Sequence, residues 1–177
     1  MKRAVNGTKG WANRMIDEAH PPPKSRLIAI NLDESSIARH SANIDHEREV
    51  AIFDILDANN FALVGRDDGP YKLNLAIADD RLVFAVGTET QEAVVTHLLS
   101  LSPLRRIMKD YFIVCDSYYQ AIRTAPPSRI QSIDMGRRAL HDEGSRLLTQ
   151  RLEGKITLDH DTARRLFTLI CALHWRG

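Results

Sequence analysis

The sequence predicts an α+β protein, with its sheet first and its helices last. Three observations carry that reading. The apolar residues alternate with period two from Tyr71 to Leu101 and then recur with a period of about 3.6 from Ser102 onward. Proline-marked breaks at Ser102-Pro103 and at "APPS" (125–128) divide the second half into separate helices. The last segment, "TARRLFTLICALHW", is apolar on most sides of a helix and so belongs at the centre of a core. Together these give an antiparallel sheet of three to four strands packed against a C-terminal group of about three helices, plus one helix between the first two strands.

The elements follow in order. Residues 1–25 are basic and polar and end in "HPPPKS", where prolines forbid regular helix; they read as a mobile extension holding Trp11, Met15 and Ile16, ahead of a single domain over 26–177. "RLIAINLD" reads as a strand. In "DHEREVAIFDILDANNF", Val50, Ile52, Phe53, Ile55 and Leu56 have helical spacing, with Asn43 or Asp45 available as the cap. Tyr71, Leu73, Leu75 and Ile77 alternate with more polar or smaller neighbours, as do Leu82, Phe84 and Val86 after the "DD" turn. With "VVTHLLSL" they form a three-stranded antiparallel meander, which the first strand joins. Ser102, with its hydroxyl as cap and Pro103 behind it, opens a helix whose stripe runs from Leu104 through Ile107, Met108, Tyr111, Cys115, Tyr118 and Tyr119 to Ile122. A second helix spans about Ser128 to Leu152, "GKITLD" reads as a short strand, and the apolar helix closes the chain.

Composition narrows the function classes. Among 177 residues, 44% are hydrophobic and 27% charged, with 24 Lys+Arg against 23 Asp+Glu and a net charge of +1. That balance suits a globular protein and gives no global attraction to nucleic acid or an anionic membrane. The longest apolar run, "LFTLICAL", falls far short of the ~20 residues of a membrane span, and the basic N-terminus lacks a signal peptide's apolar stretch. A cytoplasmic location is expected, with no membrane partner. Cys115 and Cys171 lie in apolar helical patterns and read as buried free thiols. The dinucleotide, P-loop, zincin, nucleophile-elbow and EF-hand motifs are absent, so no cofactor is expected. No metal site is assigned either. In His160-Asp161 and His141 to Glu143, adjacent helical residues diverge by about 100° and seldom chelate one ion. "DDGP" (67–70) reads as a turn.

One segment concentrates charge: "DMGRRALHDEG" (134–144). On a helix wheel Ile130, Ile133, Leu140, Leu147 and Leu148 share one side, and Arg137 falls within that stripe, with Gly144 beside it and His141 on its margin. Asp134, Arg138 and Asp142 point outward and read as a solvated ion-pair ladder. An arginine on an apolar stripe needs a partner. Arg137 therefore reads either as half of a buried ion pair locking two helices or as a fork for a carboxylate or phosphate. His141 would be a second donor or proton-transfer group, and Gly136 and Gly144 would allow close approach. His97 falls with Val95, Leu99 and Leu101 on the apolar face of its strand, and His174 near the end of the last stripe; both read first as satisfied core histidines. Arg105, Lys109 and Arg123 share the outer face of the first long helix as a modest basic strip, interrupted by Asp116.

The segments "HEREVAIFDIL", "GPYKLNLAI", "KDYFIVCDSYYQAIRTA", "IDMGRRALHDEGS" and "RLEGKITLDHDTARRLFTLICALHWRG" resemble those of uncharacterised protein family 0262, a group of short alphaproteobacterial proteins. The resemblance covers about residues 26–177. It implies a bacterial, cytoplasmic protein and transfers no catalytic residue.

Three functions stand as expectations, and whether the chain is an enzyme stays open. The first is a non-catalytic binding or regulatory protein, since no nucleophile–base pair, metal cluster or phosphate loop is legible. The second is a small enzyme acting on an anionic, phosphorylated or carboxylated metabolite. In it Arg137 is the anion anchor, His141 or His97 the acid/base candidate and Glu143 the orienter, with no catalytic residue assigned outright. The third is a nucleic-acid-binding module using Arg105, Lys109 and Arg123. A small anionic ligand, a protein partner or a second copy of the chain are the partners these readings admit.

Overall fold

The computed structural model describes residues 23–37 and 42–174. The reading of residues 1–25 as an extension, with Trp11, Met15 and Ile16, falls almost wholly outside the described residues. In chain order the elements are β1 (Leu27–Leu32), α1 (Ala42–Asp57), β2 (Phe61–Leu63), β3 (Tyr71–Ala78), β4 (Arg81–Thr88), β5 (Val95–Ser100), α2 (Ser102–Thr124), α3 (Pro127–Leu152), β6 (Ile156–Leu158) and α4 (His160–His174). The class is α+β, as the change of period predicts.

The main sheet has the order β1-β3-β4-β5. β3, β4 and β5 form the expected antiparallel meander, with Leu75 opposite Phe84 and Phe84 opposite His97. Asp79 and Asp80 close the first hairpin at φ 47° and 62°, the left-handed pair that a two-residue turn between right-twisted strands requires. One expectation is corrected: the sheet is mixed, because β1 runs parallel to β3, pairing Ile30 with Leu73 and Leu32 with Leu75. The physical reason is the intervening helix. α1 returns the chain to the end of the sheet where β1 began, and a strand entered from there can only run parallel. A second, two-stranded ribbon joins β2 to β6 antiparallel, Phe61 opposite Leu158. β6 is the strand read in "GKITLD"; β2 is too short for a periodicity to show.

Two cap expectations also change. α1 already begins at Ala42, so neither Asn43 nor Asp45 precedes it. Ser102 is the first residue inside α2, and the cap position, Leu101, makes no side-chain bond. Pro103 still fits there, because an amide in the first turn has no partner to lose. α2 stops where Ala125 turns extended (ψ 153°), as a residue before proline must.

α4 lies at the centre. Nine of its 15 residues are buried, among them Leu166, Phe167, Leu169, Ile170 and Leu173. Asp159 caps its start, its carboxylate accepting from the Thr162 amide at 2.8 Å. Burying the other end leaves carbonyls that need donors. Arg48 on α1, only 4% exposed, supplies one: its Nε donates to the Ala172 carbonyl at 3.2 Å, and its Nη1 reaches Asp45 at 3.3 Å. The arrangement is reciprocal. Arg165 near the start of α4 donates to the Ala58 carbonyl just past α1, at 2.5 Å. The two helices therefore run antiparallel, each arginine meeting the negative end of the other's dipole. Asn59 ties α1 to the sheet by accepting from the Leu27 amide (2.7 Å) while donating to the Leu27 and Ile55 carbonyls.

α3 approaches α4 through Gly144, where an added Cβ would lie 2.2 Å from the Phe167 ring. Gly136, on the same helix, has nothing within 4 Å. The two glycines thus predict opposite outcomes. Gly136→Ala should raise stability by about 0.5–1 kcal/mol through helix propensity. Gly144→Ala should lower it by about 1–3 kcal/mol, because the overpacked ring outweighs that gain. Arg48→Met keeps the side chain's length and removes its donors, and should cost about 1.5–3 kcal/mol. Urea unfolding midpoints at constant slope measure all three.

Candidate functional site

The charged segment of α3 does fall where α3 meets its neighbours, but its side chains are engaged with one another. Arg137 points toward α2, its guanidinium 5.1 Å from the Tyr118 ring centre. Its carboxylate partner is on its own helix: Asp134 accepts from Nε at 3.1 Å and Nη2 at 2.6 Å. The inter-helix contact at Arg137 is thus a cation–π contact, with the ion pair one turn back on α3. Asp134 also takes Arg138 at 2.9 Å, and the two cations hold its carboxyl below the usual range. Asp142 does not continue the expected ladder. Its Oδ1 turns to α4, 3.4 Å from Arg164 Nε and 3.6 Å from His160 Nε2.

His141 sits deeper. Its ring stacks on Tyr111 of α2 (centres 5.5 Å apart, planes 20° apart) and lies 5.8 Å from Phe167. Nδ1 faces the Arg164 guanidinium, at 3.3 Å from Nε and 3.2 Å from Nη2. A guanidinium only donates, so Nδ1 accepts and the proton sits on Nε2. There it donates to Thr168 Oγ1 (2.8 Å) or the Arg164 carbonyl (3.0 Å). Burial and Arg164 both push its pKa down. The result is a neutral, fully bonded histidine that ties α3 to α4.

The remaining sequence candidates do not meet it. His97 is half-buried on β5 opposite Phe84, its pKa lowered by burial and by Lys155; no hydrogen bond, ion pair or ring contact among the described residues joins it to Arg137 or His141. Glu143 is exposed on the opposite flank of α3, beside a shallow hollow with Pro103, Arg106 and Asp110. Arg105 is ion-paired with Asp80, and Lys109 lies in the same groove as Asp80 and Asp116, so acids interleave the basic strip. Arg123 stands exposed in the last turn of α2.

A cleft that the sequence reading missed lies between α1, α2 and α4, with a volume of about 280 Å³. Its lining is mainly apolar: Val50 and Ala51 from α1, Tyr111, Phe112 and Cys115 from α2, Cys171 and Ala172 from α4. Tyr111 and Cys115 both line it, and burial raises the pKa of the hydroxyl and of the thiol. Cys171, fully buried, is pushed up further, so the lining holds neutral thiols rather than activated nucleophiles. The rim carries His46, Glu47 and Asp54, and among the described residues the lining includes no lysine or arginine. Thr168 and Tyr111 contribute to the wall and both touch His141 from behind. His141 therefore supports the cleft without opening into it. One sequence signal was available. Glu47, Val50 and Asp54 occupy positions i, i+3 and i+7, a face on which two acids bracket an aliphatic residue.

A pH dependence follows from His141. Its folded-state pKa lies below the unfolded value of about 6.5, so the stability it contributes is fully present above that pH and is lost as pH falls through the folded pKa. Thermal unfolding should show a declining melting temperature below about pH 6.5. His141→Gln, which keeps a donor and an acceptor but does not titrate, should flatten part of that decline. An unchanged slope in the variant would place the sensitivity elsewhere, His97 being the other described histidine with a lowered pKa.

Comparison with known proteins adds a family. The model of Uncharacterised protein family (UPF0262) matches residues 24–176. A UPF0262 protein of Brucella anthropi is 57% identical over 156 residues, covering 88% of this chain and 97% of the relative. One from Rhodopseudomonas palustris is 58% identical over 153 residues, covering 86% and 94%. No solved structure matches. Both relatives are alphaproteobacterial, and their names carry no activity to transfer. The chain belongs to the uncharacterised protein family UPF0262.

Proposed function

We propose that this chain is a non-catalytic binding protein of the bacterial cytoplasm, acting as one domain from residue 26, and that its ligand site is the α1–α2–α4 cleft. The cleft itself carries the reading: about 280 Å³ of mostly apolar surface between three helices, with carboxylates and, among the described residues, no fixed cation at its edge. Such a surface favours a small ligand with an aromatic or aliphatic body and a positively charged group. The body would rest on Tyr111, Phe112 and Ala172, and the charge would face Glu47 and Asp54. The neutral thiols and the fully bonded His141 favour binding over chemistry. The anionic-metabolite reading relies on Arg137, whose Nε and Nη2 already engage Asp134.

Isothermal titration with phenethylamine and with phenylacetate tests this, since the two share a body and differ in charge. The amine should bind measurably more tightly than the acid. Removing both rim charges by Glu47→Gln and Asp54→Asn should reduce amine affinity about fivefold, the order of an exposed charge contact. Val50→Trp, which fills the mouth, should abolish binding. Equal affinity for the acid, or binding that survives the filled cleft, would sink the proposal.

A further inference from the structure

The main sheet ends on β5, and among the described residues that edge is unpaired. The Leu101 amide donates to the Asp80 carbonyl at 3.2 Å. In an antiparallel ladder the residues facing the neighbour alternate, so the backbone groups of Leu99, His97 and Val95 turn toward β4. Those of Thr96, Leu98 and Ser100 turn outward. No described residue outside the sheet bonds to the amide or carbonyl of these three.

Natural edge strands are usually protected by lysine, proline, an inward charge or a covering element. β5, with the sequence VTHLLS, has no lysine, no proline and no acid. At its centre Leu98 is 49% exposed, on the face away from the helices and next to Val83 of β4. We propose that β5 pairs antiparallel with β5 of a second copy of this chain about a twofold axis through Leu98, joining two four-stranded sheets into one.

The strand is self-complementary in that register. Leu98 meets Leu98 of the second copy, and Thr96 meets Ser100 of the second copy on each side. All three positions have outward backbone groups, so each pair exchanges two N–H···O bonds. The two leucines and the flanking Val83 side chains then cover one another on the outer face. Charge agrees with the antiparallel sense. Exposed Glu89 and Glu92 precede β5. At its far end exposed Arg81, opposite Ser100, with Arg105 and Arg106 of α2, outnumbers Asp79 and Asp80 of the adjoining turn, and the start of α2 has no side-chain cap and no acid in its first turn. The twofold sets the acidic end of each strand beside the positive end of the other. A parallel pairing would set like ends together.

The test uses the full chain. Sedimentation velocity over a wide micromolar range should show a monomer–dimer equilibrium for wild type. Leu98→Lys places like charges face to face on the axis and should leave only monomer, with far-UV circular dichroism unchanged. A second measurement does not depend on that variant. Residues directly opposite in a hydrogen-bonded pair have Cα atoms about 5.5 Å apart, within disulfide reach. In a Cys115→Ser background, Leu98→Cys should form a covalent dimer on mild oxidation, whereas Met135→Cys, which is 66% exposed on α3, should not. Wild type that sediments as monomer throughout overturns the proposal. So does a Leu98→Lys variant that dimerises with unchanged affinity, or crosslinking that is equal at both cysteines. None of these readouts depends on the cleft or its ligand.

Discussion

A helix whose circumference is mostly apolar has to be enclosed, and α4 imposes that requirement on everything before it in the chain. Enclosing its C-terminal turn removes carbonyls from water, which makes a buried donor necessary. Arg48 meets the need from α1, and Arg165 answers for the end of α1. Both guanidinium groups meet a carbonyl at the negative end of a helix dipole, and buried Arg48 gives up its hydration to do so. The pair also sets the direction of α1 against α4. α1 is also the crossover that carries the chain from β1 toward β3, and that return is what makes β1 parallel.

The same enclosure decides which polar groups are left for function. Arg137 and His141 attract notice in the sequence because charge on an apolar stripe is rare. Packing has given both of them partners. Arg137 holds Asp134 and faces Tyr118; His141 lies between Tyr111 and Phe167, with both nitrogens bonded. The cleft between α1, α2 and α4 carries Glu47 and Asp54 at its edge. A chain of net charge +1 therefore has a locally acidic cleft edge among its described residues, and a global charge balance does not reveal it.

Legibility varied with the length of each signal. The meander was readable because Tyr71 to Leu75 and Leu82 to Val86 alternate over whole strands, and α2 because its stripe repeats for several turns. β2, three residues long, has no room for a period. The parallel sense of β1 was unreadable because alternation reports which face is buried and says nothing about strand direction. Arg48 was missed although the argument applied to Arg137 applies to it equally. Arg48, Ala51 and Ile55 are all buried, at spacings of three and four, so Arg48 lies on its helix's inner face. The wheel identifies such a residue; it does not name the carbonyl of Ala172, 124 positions away.

By itself, the sequence determined the α+β class, the positions of the helices and hairpins, the central place of the last helix and the family. These rest on local periodicity, on turn chemistry and on long matching segments, all of which are properties of contiguous residues. Only the tertiary structure decided the mixed sheet, the reciprocal arginine caps, the partners of Arg137 and His141, and the cleft. Each of these depends on which surfaces of distant segments meet. That choice is made by the collective burial of apolar faces and the pairing of the polar groups caught between them, and no single window of sequence contains it.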